Sequence, residues 1–134
     1  MAGFEHYAWL MKSEPSEVSV DDVLQMDGCK VGWFGVRNYQ ARNFMRDLCK
    51  IGDPVLFYHS SCAQPGIVGI GEIASEPYPD PTQFDETSEY FDAKSTQAKP
   101  RWVQVDVHIL HKVFGFPASH SDMDHTMSPR NSKR

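Results

Sequence analysis

The stretch Trp33-Phe34-Gly35-Val36-Arg37-Asn38-Tyr39-Gln40-Ala41-Arg42 gathers an indole, a phenol, side-chain amides and two guanidiniums. Together these groups suit a planar, hydrogen-bonding ligand that carries a phosphate. Rings stack on its face, an amide reads its edge and a guanidinium pairs with the anion. A second group stands at the ends of two apolar runs. Lys12 and Ser13 offer a cation and a hydroxyl, and Tyr58 and His59 an aromatic face and a polar handle. Covalent chemistry has less support. His59, Ser60 and Cys62 are close in sequence, but strand alternation points His59 and Ser60 to opposite faces. No G-x-S-x-G elbow surrounds them. Gly66, Gly69 and Gly71 lie before or inside a strand, whereas a dinucleotide loop needs a strand-to-helix turn. His120, Asp122, Asp124 and His125 form a chance grouping in a polar tail, so no metal and no cofactor is expected.

The elements that must position these residues follow from spacing. Asn38 is a good N-cap, because its side-chain oxygen can accept from a free N–H of the first helical turn. Ala41, Phe44, Met45 and Leu48 then fall on one apolar stripe. Arg42, Arg46 and Lys50 recur every fourth residue on the other side, and like charges at that spacing repel by a few tenths of a kcal/mol. An anionic partner relieves that repulsion. Ser19, with Asp22 three residues on, caps a shorter helix carrying Val20, Val23 and Leu24. Strands are expected at Tyr7–Lys12, Pro54–Ser60, Ile67–Ile73 and Arg101–Leu110. The middle two pair antiparallel through the intervening loop. Gly69 and Gly71 share a strand face, which suits a barrel bend or the close approach of a backbone or flat ligand. Glu76 to Pro100 is a long polar connection, a length that is usually functional or loosely ordered, tacked down by Tyr78, Phe84, Tyr90 and Phe91.

The 134 residues suit one domain, and a 40% hydrophobic composition can build a core. A net charge of −5 argues against generic, charge-driven nucleic-acid binding. Any such contact is local, as on the basic segment Arg37–Lys50. Cys29, Cys49 and Cys62 are odd in number and unpaired in spacing, which suits free thiols in a reducing compartment. No secretory leader or membrane-length apolar run is visible, so an intracellular protein of nucleus or cytoplasm is expected. The oligomeric state stays open.

Several segments, in order, carry a family resemblance: Trp9-Leu10-Met11-Lys12-Ser13-Glu14-Pro15, Gly35-Val36-Arg37-Asn38-Tyr39-Gln40-Ala41-Arg42-Asn43-Phe44, Gly52-Asp53, Phe57-Tyr58-His59-Ser60, Gly66-Ile67-Val68-Gly69, Tyr78-Pro79-Asp80-Pro81-Thr82-Gln83-Phe84, and Pro100-Arg101-Trp102 with Val105-Asp106-Val107. The chain resembles the EVE domain, a PUA-like family, from Tyr7 to Leu110. The resemblance implies an α+β fold, a mixed β pseudo-barrel flanked by short helices. It also implies a non-enzymatic pocket for a nucleobase in DNA or RNA, such as methylated or hydroxymethylated cytosine. Related folds take such a base out of the stack. On that basis Trp33 and Tyr58 are expected to stack on the base, and Ser13, Asn38 and His59 to bond its edge. Lys12, Arg37 and Arg42 are expected at phosphate. The alternatives are a small-molecule or nucleotide enzyme using His59 or Cys62, and a shortened product with no ligand site. Two departures stand out. Phe34 occupies a position that is usually Asp or another polar residue. Residues 111–134 do not follow the family's continuation and are expected to be a divergent, disordered tail. A barrel lacking its final strands is expected to be less stable or to need a partner.

Overall fold

The computed structural model describes residues 8–116 and 126–127. Its main layer is a six-stranded mixed sheet in the order β2-β7-β4-β3-β1-β8. Strand β1 (Trp9–Ser13) is buried along its whole length, as a near-continuous run of large residues requires when both faces are covered. It runs parallel to β3 (Pro54–His59), with Trp9 opposite Val55 and Ser13 opposite His59. Parallel neighbours need a long crossover. Here it contains α1 (Val20–Leu24), β2 (Lys30–Gly32) and α2 (Tyr39–Asp47). β4 (Gly66–Ile73) pairs antiparallel with β3 through the short loop, as the alternation predicts. β7 (Asp106–Phe116) follows β4 on its far side and carries β2 at the edge. The two-residue β8 (Thr126–Met127) lies parallel to β1 at Leu10 and Met11.

Both predicted caps form. The Ser19 hydroxyl accepts from Asp22 N, the Asp22 carboxylate accepts from Ser19 N, and the two bonds close a capping box. The Asn38 side chain accepts from Ala41 N at 2.9 Å. Ala41 and Met45 of α2 are buried, and Phe44 and Leu48 pack against the same core. That core joins Trp9, Met11, Val23, Phe57, Ile73 and Val107, all fully buried. The glycine pair of β4 admits the close approach of neighbouring protein, a backbone at Gly71 and α1 at Gly69. A Cβ on Gly71 would stand 2.2 Å from the His108 carbonyl, and one on Gly69 would press on Val20 of α1. The β4–β7 register slips at both glycines.

One strand carries no sequence signal, and two expectations need correction. The edge strand β2 has no periodic pattern; it exists because β7 offers it a ladder. The predicted strand Arg101–Leu110 is split into β6 (Val103–Gln104) and β7, and β7 runs past Leu110 to Phe116. The connection 76–100 is not loose. β5 (Tyr78–Pro79) pairs with β6, and a 3₁₀ turn covers Pro81–Phe84. What holds it is buried polar bonding more than aromatic tacking. Gln83 is fully buried and meets all four of its hydrogen-bonding demands: Nε2 donates to the Asp80 and Trp102 carbonyls, and Oε1 accepts from Arg101 N and Trp102 N. The His120–His125 group and most of the expected tail lie outside the described residues. Among the described residues no cluster of acidic, His and Cys side chains fits a metal, and no helix is long and apolar enough to cross a membrane.

Candidate nucleic-acid interface

The loop between β2 and α2, residues 33–38, is held from below by the buried Asp80 carboxylate. Asp80 accepts from Gly35 N at 2.8 Å, from Arg37 Nη1 at 3.0 Å, and from the Thr82 amide and hydroxyl. Gly35 adopts φ +85°, and a Cβ there would lie 2.9 Å from the Tyr90 ring, so glycine alone lets that ring lie against the loop. Arg37 spends all five N–H groups inside the protein. They go to the Tyr90 carbonyl twice, the Val36 carbonyl, Asp80 and the Thr82 hydroxyl. Its guanidinium also lies 5.3 Å from the Trp102 ring. With its side chain 5% exposed, Arg37 has no donor left for a phosphate in this arrangement.

The structure brings Lys12, Ser13, Tyr58 and His59 together at the carboxyl ends of the parallel pair β1 and β3, where Lys12 faces Tyr58 and Ser13 faces His59. Lys12 and Ser13 are buried, and the Lys12 ammonium is 6.0 Å from the Tyr58 ring. The Ser13 hydroxyl donates to the Glu14 carbonyl. His59 Nε2 accepts from Val20 N at 3.1 Å, so it caps the first turn of α1, and its proton sits on Nδ1. Burial pushes the His59 pKa below the ordinary imidazole value, partly opposed by Asp21. That nitrogen is therefore engaged and not poised as a base. Cys49 is equally unsuited to nucleophilic work, since burial and Asp53 push its thiol up to about 12.

Between α1 and the start of the loop lies an open groove of about 640 Å³, lined by Glu17, Val18, Asp21, Asp22, Gln25, Met26, Val31 and Phe34. Next to it is an inner cavity of about 10 Å³, bordered by Glu17, Val18, Val31, Gly32, Trp33 and Phe34. Its size suits a single water. Trp33 is 2% exposed, and its Nε1 has no hydrogen-bond partner among the described residues. The Oε1 of Gln104, a side chain packed on Gly32, is the other unpartnered buried polar atom. A buried donor left unmade costs about 1–3 kcal/mol. The other two indoles are satisfied: Trp9 Nε1 donates to Asp53 at 2.9 Å and Trp102 Nε1 to Asp92 at 2.7 Å.

Of the residues singled out by sequence, Trp33 alone borders these cavities. Asn38 and Arg42 lie on the other side of the loop. Asn38 is exposed and committed to its cap, and Arg42 bonds Asn43 and the Arg101 carbonyl. Glu17, Val18 and Phe34 also border the groove and the inner cavity; Glu17 and Val18 carry no sequence signal of that role, and Phe34 is marked in the sequence only as a departure from the family pattern. The Glu17 carboxylate accepts a hydrogen bond from the Tyr90 hydroxyl. Phe34 meets Tyr90 edge to face at 5.7 Å.

A curled mixed sheet with a few short helices, folded over a loop that presents Trp33, defines the PUA-like α+β class. Sequence comparison makes this more specific: residues 7–128 match the EVE domain family, and the chain belongs to it. It is 44% identical over 111 residues to thymocyte nuclear protein 1 of Gallus gallus, covering 76% of this chain and 46% of that one. It is 41% identical over 117 residues to the Homo sapiens protein, covering 81% and 52%. The chain thus spans about half the length of these curated relatives. Among solved structures, a hypothetical protein from Leishmania major matches with TM-score 0.78 and 43% identity, over 87% of this chain and 73% of that one. Human THYN1 in complex with 5-methylcytosine-containing DNA matches with TM-score 0.73 and 42% identity, over 78% and 66%.

Proposed function

We propose that this chain is a non-enzymatic nuclear module that holds a modified cytosine, methylated or hydroxymethylated, extruded from DNA. Two lines of support meet here. The chain belongs to the EVE family, and human THYN1, 42% identical, has been solved with 5-methylcytosine-containing DNA. The single observation within this chain that carries the reading is the unpartnered Nε1 of buried Trp33 beside the groove. A pyrimidine carbonyl, directly or through one water, supplies the missing acceptor. Phe34 provides the aromatic contact in the groove, and Trp33, buried behind it, contributes its N–H. The Glu17 carboxylate accepts from an exocyclic amino group, a donor that cytosine has and thymine lacks. In this proposal Arg37 and Asn38 position the loop. Arg42 is the phosphate contact, because two of its N–H groups are uncommitted among the described residues. Lys12, Ser13, Tyr58 and His59 form the wall at the strand ends, with Tyr58 the further stacking surface.

Extrusion costs a few kcal/mol, and base–aromatic stacking returns about 1–3. A reader of one base therefore works without a basic surface, in keeping with the chain's net charge of −5. The test is titration with short oligonucleotides that differ only in one cytosine, plain, 5-methylated or 5-hydroxymethylated. The expected result is tighter binding of a modified form. Equal affinity for all three, or none for any, overturns the reading.

A further inference from the structure

Tyr39 opens α2 and is 50% exposed, unusual for an aromatic ring that is also stacked. Its ring lies on Trp102 with centroids 4.8 Å apart and planes 26° from parallel. Trp102 is an immobile base for it: 5% exposed, bonded through Nε1 to Asp92 and through its backbone to Gln83. The Arg42 guanidinium is 4.8 Å from the Tyr39 ring and 5.9 Å from Trp102. Those distances put Arg42 and Trp102 on the same side of Tyr39, since groups on opposite faces would be far more widely separated. The outer face of Tyr39 is left open. At the ring's tip, Arg101 Nη1 donates to the Tyr39 hydroxyl at 3.3 Å, and the Arg101 side chain, 39% exposed, also stands 4.0 Å from the Asp92 carboxylate. The result is an aromatic plate with one free face, one guanidinium at its tip, Arg101, and a second, Arg42, on the inner side beside Trp102.

We infer that this plate stacks an unpaired base of the strand flanking the held nucleotide, with Arg101 and Arg42 against its phosphates. A nucleotide is the ligand that offers a π-face and an anion at this spacing, and stacked aromatics with cationic margins are how single strands are held without sequence preference. The inference rests on the proposed reading. The plate is joined to the groove by an unbroken series of ring and guanidinium contacts, Phe34–Tyr90–Arg37–Trp102–Tyr39, each step between 4.8 and 5.7 Å. It therefore lies within reach of the same strand, on the opposite side of the loop.

The test compares 5-methyl-2′-deoxycytidine monophosphate, which fills the groove alone, with a short oligonucleotide carrying 5-methylcytosine at its centre. Tyr39→Ala is expected to weaken oligonucleotide binding about 5- to 100-fold, the equivalent of one base stack, and to leave the mononucleotide unchanged. Tyr39→Phe keeps the plate and is expected to bind both like the wild type, which guards against a folding artefact. Arg101→Ala is expected to make the log–log salt slope for the oligonucleotide shallower by about one. Wild-type affinity of Tyr39→Ala for both ligands overturns the plate and leaves the groove reading standing. Failure of the wild type to bind either ligand overturns both.

Discussion

The two sides of the 33–38 loop are built on opposite principles. Toward α1 the surface is a groove lined by the carboxylates of Glu17, Asp21 and Asp22 together with Val18, Val31 and Phe34, and behind it, bordering the small inner cavity, lies an indole N–H with no acceptor among the described residues. Toward α2 it is cationic and aromatic, and its buried donors are bonded: Arg37 through all five N–H groups, Trp102 through Asp92, Gln83 throughout. The same residue type, tryptophan, shows the contrast. Trp9 and Trp102 have carboxylate partners, and Trp33 has none among the described residues. Where every donor is bonded, the protein is finished by itself. Where one is left over, the proposed function has a bound base finish it.

Breaking the shared support produces the largest effect. Asp80→Ala strips the acceptor from Gly35, Arg37 and Thr82 and leaves a buried guanidinium unpaired, so both sides fail together. Removing one partner of a buried pair costs about 3–5 kcal/mol, and urea denaturation is expected to show a loss of that order. A loss below about 1 kcal/mol would mean that Asp80 is not the clamp.

The contrast between indoles sharpens the comparison next. Trp102→Phe leaves the Asp92 carboxylate without its main partner, whereas Trp33→Phe removes an unsatisfied donor. With similar packing loss in each, Trp33→Phe is expected to be less destabilising by about 1–3 kcal/mol, measured as the difference between urea midpoints at matched slope. The Asp92 pKa, held below the usual carboxylate range first by the Trp102 indole, is expected to rise in Trp102→Phe. A carboxyl-detected NMR titration reads it.

His59 gives a smaller, pH-dependent effect on the groove side alone. Its pKa is lowered in the fold, because burial and the bond from Val20 N favour the neutral ring. The stabilisation is therefore complete above the unfolded value of about 6.5 and falls away as pH drops through the folded value. Unfolding free energies across this range are expected to show acid loss in the wild type and less of it in His59→Gln, where nothing titrates. The exposed pair Lys112–Asp21, at 2.7 Å, sits at the same helix and is expected to matter least. Lys112→Ala should change stability by under about 1 kcal/mol, and a larger change would mark that rim as structural.

Much of the positioning apparatus is legible in the sequence because it is local. The caps at Ser19 and Asn38, the stripe on α2 and the β3–β4 hairpin all follow from neighbours within a few residues. Trp33 is legible as a flat surface next to a cap. Arg37 is not legible as a hub, since its acceptors at Asp80, Thr82 and Tyr90 lie more than forty residues away. The groove wall at Glu17 and Val18 is hidden for the same reason: it exists only where α1 meets β2, and β2 itself has no pattern apart from its partner strand. Composition made the connection 76–100 look loose, because polar residues that bond one another deep in a protein read the same as polar residues in water.

The claim that a ligand completes the Trp33 side is tested most directly by the three indole N–H resonances of ¹⁵N-labelled protein. They are followed as a 5-methylcytosine oligonucleotide is added. The Trp33 signal is expected to move downfield and exchange more slowly with solvent, while Trp9, sealed against Asp53, stays in place as the internal reference. Saturable binding with the Trp33 resonance unmoved would contradict the account, because the donor left over in the fold would then remain unmet in the complex.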